Sequence, residues 1–113
     1  MELAQNRKAF HEFQILERFE AGIELKGTEV KSCRMRNLSF NDAHVKYENG
    51  EIFLYGVHIA PYECGNRFNH DPLRPRKLLL HKSEIRKLAQ KIKEKGLTIV
   101  PLKFYIKKRN VKV

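Results

Sequence analysis

Apolar and polar positions alternate through much of the first half of the chain, the two-residue period of half-buried strands. Ala43, Val45 and Tyr47 take turns with polar neighbours, Asn49-Gly50 is a favoured two-residue hairpin turn, and residues 52–59 return as a mostly apolar strand. Gly56 inside that return strand predicts a bulge or bend. Upstream, residues 11–19 (HEFQILERF) mix alternation with an apolar pair and read as a strand, continued in extended form by residues 21–25. Gly27 stops it. Thr28 is then a candidate N-cap for a short helix over residues 29–35, with Glu29 favourable at its positive end and Val30, Cys33 and Arg34 sharing a face.

The period changes after residue 80. Residues 61–75 form the longest irregular stretch, carrying Pro61, Gly65, Pro72 and Pro75; a loop of this length in a compact domain is usually functional or mobile. Residues 78–80 re-enter the core as a strand. Ser83 is placed to cap a strong helix whose buried stripe is Ile85, Leu88, Ala89 and Ile92, ended by Gly96. Residues 97–106 predict a final long strand, edge or bulged at Pro101, and residues 111–113 begin another. The sum is a mainly β chain with embedded helices: about six short antiparallel strands, which close into a small OB-like barrel to hide their edges. A split α/β domain is the competing arrangement.

Length and charge narrow the class. The 113 residues fit one domain, so residues 1–113 are read as a single unit. Residues 1–73 hold 9 basic and 11 acidic side chains, net −2, and residues 74–113 hold 14 and 2, net +12. So lopsided a distribution points to a polyanion, and to nucleic acid before membrane, because no apolar run approaches the ~20 residues of a spanning helix. Residues 1–10 lack an apolar signal core, and Cys33 and Cys64 read as free thiols, which together place the chain in the cytoplasm.

No catalytic constellation emerges. The chain has no nucleophile elbow, paired-carboxylate motif or glycine-rich phosphate loop, so no enzyme activity and no cofactor are expected. His58, Cys64 and His70 are spaced six apart, but structural zinc sites need four ligands in tight pairs, so no metal is expected either. Most aromatic residues, Tyr105 among them, sit at alternating strand positions that favour core packing; Tyr62 and Phe68, in a polar loop, are the candidates for stacking on bases. The basic helix is read as a solvated face that steers a polyanion from a distance.

Several segments together resemble the SmpB family, the SsrA-binding proteins: NRKA at 6–9, FEAG at 19–22, GTEVKS at 27–32, NRFNHDP at 66–72, RKLLLH at 76–81 and KGLTIVP at 95–101. GTEVKS and RKLLLH together are highly specific. The resemblance implies an OB-like barrel that binds the tRNA-like domain of transfer-messenger RNA near the elbow where D and T loops meet, and carries it to stalled ribosomes. Through the RNA it also implies alanyl-tRNA synthetase and elongation factor Tu as partners. Carried over by position, Asn6, Glu20, Leu79 and Lys112 match family residues linked to RNA binding. Lys31, Ser32, Arg76 and Lys77 lie in the matched motifs and suit phosphate or ribose. A carboxylate facing RNA repels phosphate, so Glu20 would accept from a base edge or 2′-OH; the alternative is an ion pair with a neighbouring cation. Leu79 reads as core by pattern alone. The family continues past the last strand with a basic tail bearing GKK and DKR, and this sequence ends at Val113; the expectation is a trimmed form that binds the RNA yet fails to support tagging. A general OB-type single-strand binder and a small nuclease using His and Lys are the alternatives.

Overall fold

The computed structural model describes residues 1–63 and 69–113. Ten elements follow in the order β1 (Glu2–Gln5), α1 (Arg7–Glu12), β2 (Gly22–Ile23), α2 (Gly27–Arg34), β3 (Leu38–Glu48), β4 (Glu51–Ile59), β5 (Arg76–Leu79), α3 (Lys82–Lys95), β6 (Lys103–Lys107) and β7 (Asn110–Lys112). All seven strands join one antiparallel sheet in the order β1-β6-β7-β2-β5-β4-β3. The Val45 N–H donates to the Ile99 carbonyl across 2.9 Å, tying the β3 end of the sheet to the segment that leads into β6. The sheet thereby coils back on itself as an OB-like barrel.

The β3–β4 hairpin shows how the pattern builds the wall. Ala43 is buried, with Val45 and Tyr47 packed against the core, while Ile52 and Leu54 answer them from β4. Inward positions then change parity, to Leu38 and Phe40 on β3 and to Val57 and Ile59 on β4. The change falls at a bulge between Phe40 and His44, opposite Gly56 at φ +79°. A β-carbon at residue 56 would lie 2.6 Å from the Asn41 carbonyl oxygen, so the bulge requires glycine.

Two helices close the barrel. α2 packs on β4 and buries Cys33, a free thiol, together with Ser32 and Glu29. α3 puts Ile85 and Leu88 into the core, with Ala89 buried and Ile92 only half-buried beside them. Phe104, wholly buried, meets Phe40 edge-on at 5.9 Å.

The structure corrects several sequence expectations. Residues 11–19 are not a strand: the chain forms α1 and then runs without regular structure to β2, because no neighbouring strand takes up its backbone groups. α1 and β1 bring the totals among the described residues to three helices and seven strands. Residues 97–102 are likewise irregular, and β6 begins only at Lys103. Helix caps shift by two residues. Lys26 caps α2, its N–H donating to Glu29 across 2.7 Å, and His81 caps α3, its N–H donating to Glu84 across 3.0 Å. The Thr28 hydroxyl instead pairs with His70 Nδ1 at 2.8 Å. His70 Nε2 lies 2.8 Å from the Ile59 carbonyl.

Candidate nucleic-acid interface

Antiparallel pairing aligns side chains from separate strands on one face. Leu79 pairs with Gly22, Gly22 with Lys112, Lys112 with Tyr105, and Tyr105 with Glu2, a lateral row across β5, β2, β7, β6 and β1. This is the outer face of the barrel. Arg76 and Leu78 of β5 point into the core, so Lys77 and Leu79 point out, and Leu79 is 49% exposed. That exposure overturns the core reading of Leu79 from its pattern.

Glu20, Lys77, Leu79 and Lys112 line one open groove of about 800 Å³, with Arg18 and Gly22 beside them. Gly22 keeps its floor low: a β-carbon there would stand 3.2 Å from the Leu79 β-carbon. Lys77 Nζ lies 3.6 Å from Glu51, a half-exposed pair that leaves the ammonium available to an anion. Glu20 accepts a hydrogen bond from the Tyr105 hydroxyl and from Lys107 Nζ at 3.3 Å. The ion pair considered from sequence is thus present. The Tyr105 hydrogen bond, with Lys107 and the charge of Lys112, holds the Glu20 carboxyl below the usual range despite an opposing contribution from burial. Glu20 is therefore an ionised acceptor at neutral pH. Burial first, and then the hydrogen bond and charge of Glu20, push the Tyr105 hydroxyl up to about 12, so it stays a donor.

The remaining predicted residues do not join the groove. Asn6 is buried, donating from Nδ2 to the Pro101 carbonyl across 2.9 Å and capping α1 by accepting from the Ala9 N–H. The Ser32 hydroxyl is buried and donates to the Ala60 carbonyl across 2.7 Å. Arg76 has no exposed surface. Its guanidinium donates to Glu29 across 2.6 Å and to the carbonyls of Val57 and Pro72, so it holds the fold and has nothing to offer phosphate. Lys31 is exposed on α2, its ammonium 5.4 Å above the Tyr62 ring. Phe68, Cys64 and the 64–68 part of the matched loop lie outside the described residues.

Tyr105 and Lys107 were not singled out from sequence as site residues. The signal was there: in KFYIK the alternation buries Phe104 and turns Tyr105 and Lys107 outward. Among the described residues no three His, Cys, Asp or Glu side chains gather as metal ligands, and no helix is long and apolar enough to cross a membrane.

A family model described as SmpB protein matches residues 3–113. An SsrA-binding protein of Carboxydothermus hydrogenoformans is 59% identical over 111 residues, covering 98% of this chain and 74% of the relative. An SsrA-binding protein of Caldicellulosiruptor saccharolyticus is 58% identical, covering 98% and 70%. Among solved structures, a chain from "tmRNA-SmpB: a journey to the center of the bacterial ribosome" superposes with a TM-score of 0.80 at 52% identity, covering 97% of this chain and 78% of that one.

Proposed function

The chain belongs to the SmpB family, and we propose that its outer-face groove is where it binds transfer-messenger RNA for ribosome rescue. It is an RNA-binding protein of trans-translation, with transfer-messenger RNA and the ribosome as its partners. In this reading the tRNA-like domain is the part held, and it is recognised by shape at the elbow of its D and T loops. The chain works in the cytoplasm as a carrier and catalyses nothing. Alanyl-tRNA synthetase and elongation factor Tu meet it through the RNA.

One observation carries the assignment: Glu20, the β5 pair Lys77 and Leu79, and Lys112, from three separate stretches of the chain, line one exposed groove. Together they suit three parts of a folded RNA loop. Lys77 and Lys112 offer charge to phosphates, and Leu79 offers an exposed apolar surface to an unstacked base. Glu20 keeps lone pairs for a base edge or 2′-OH after accepting from Tyr105 and Lys107. Lys31 is a peripheral phosphate-binding residue in the same reading.

Titration of the tRNA-like domain with Glu20→Ala, Leu79→Ala and Lys112→Ala variants tests this. Each should weaken binding by about tenfold or more, the effect of removing one charge-assisted or well-buried interaction, with the thermal midpoint retained. Unchanged affinity in all three folded variants would remove the groove from the interface.

A further inference from the structure

Cations occupy strained backbone positions at one corner of the barrel. α2 runs out through Arg36 at φ +61°, and the β6–β7 turn is made by Lys108 and Arg109 at φ +50° and +69°. Left-handed backbone is easy for Gly and Asn and costly for long side chains. A two-residue hairpin with both central residues left-handed favours Asn-Gly. This chain uses that pair at Asn49-Gly50, φ +51° and +78°, yet places Lys-Arg on the same kind of turn at 108–109. Among the described non-glycine residues, three of the five with positive φ are these cations.

The two loops are joined. The Arg34 guanidinium donates to the Arg109 carbonyl across 3.1 Å, fastening the end of α2 to the β6–β7 turn. Arg34, Arg36, Lys108 and Arg109 are exposed, and among the described residues none forms an ion pair with a carboxylate. Lys107, which precedes the turn, reaches Glu20 at the edge of the groove. The corner is thus continuous with the groove, and its backbone is held while its charges stay unneutralised. Turn chemistry alone gives no reason for cations here.

We infer that this corner binds the sugar–phosphate backbone of the same RNA whose folded loops occupy the groove. The inference rests on the proposed function for the identity of the RNA. The chemistry is phosphodiester anions met by guanidinium and ammonium groups, an interaction that releases counterions and carries no sequence preference.

A triple variant, Arg36→Gly with Lys108→Asn and Arg109→Gly, removes three cations while giving each position a residue its backbone prefers. Its thermal midpoint should equal or exceed that of the parent. Affinity for the tRNA-like domain is then measured across a salt series, beside a control that removes three cations elsewhere, Lys87→Gln with Lys93→Gln and Lys95→Gln. The corner variant should flatten the plot of log affinity against log salt by roughly 2–3 units, at ~0.7–0.9 for each phosphate it no longer neutralises. The control should change it by less than about 1. An unchanged slope in the corner variant, or equal flattening in the control, would overturn the inference. Preference of the parent for the tRNA-like domain over ordinary tRNA judges the groove, and the salt slope judges the corner, so either can fail alone.

Discussion

At the scale of single residues, burial separates holding the fold from meeting the partner. Glu29 is wholly buried yet accepts from Arg74 at 2.6 and 3.1 Å, Arg76 at 2.6 Å and the Lys26 N–H at 2.7 Å. Burial acts to raise its pKa, but the hydrogen bonds from Arg74, Lys26 and Arg76 outweigh it, and the carboxyl sits below the ordinary glutamate value. Removing one partner of such a buried pair costs on the order of 3–5 kcal/mol. Arg76→Met should therefore lower the urea midpoint sharply, whereas a direct RNA role would instead lower affinity at unchanged stability. The pH dependence has a fixed sign. A carboxylate with a depressed folded pKa adds stability above its unfolded value, near ~4.3, and that stability is lost as pH falls through the lower folded value. The urea midpoint should fall below pH ~4.3, and less steeply in Glu29→Gln. None of this was legible in the sequence. In RKLL two registers, Arg76 with Leu78 inside or Lys77 with Leu79 inside, bury one leucine each, and the choice depends on a glutamate far away in the chain.

At the scale of elements, alternation was a reliable guide only where a partner strand exists. The β3–β4 hairpin was readable because Asn49-Gly50 fixes the turn and both flanking strands supply a pairing surface. Residues 11–19 alternate too, but leave Phe13, Leu16 and Phe19 exposed beside a chain that pairs with no strand. The short strand β2 organises the proposed site, since it joins β5 to β7 and so brings Leu79 and Lys112 to either side of Gly22. Two glycine substitutions separate the roles. Gly56→Ala meets the Asn41 carbonyl oxygen at 2.6 Å on a left-handed backbone and should destabilise by more than ~1–3 kcal/mol. Gly22→Ala needs only a few tenths of an ångström from Leu79, so thermal melting should change little while affinity for the tRNA-like domain falls severalfold. Equal effects on melting in the two variants would count against the row as a recognition surface.

At the scale of the whole molecule, net charge foretold the kind of partner and left its place open. The +12 of residues 74–113 is spread over β5 and the segment before it, α3, β6, β7 and their turns, and only part of it reaches the groove. In the proposed reading specificity comes from the uncharged and acidic members, Leu79 and Glu20, because lysines alone attract every polyanion. Pattern alone puts Leu79 in the core, and residue chemistry leaves Glu20 between an ion pair and an acceptor for RNA; resemblance names both as candidates, and the fold places them on one groove. The most direct measurement is a binding titration at near-physiological salt, comparing the tRNA-like domain of transfer-messenger RNA with ordinary tRNA and with a single-stranded oligonucleotide of equal charge. Recognition by the groove predicts clear preference for the tRNA-like domain, persisting as salt rises. Equal binding to all three that vanishes with salt would contradict it, leaving the basic third of the chain as a general polyanion surface.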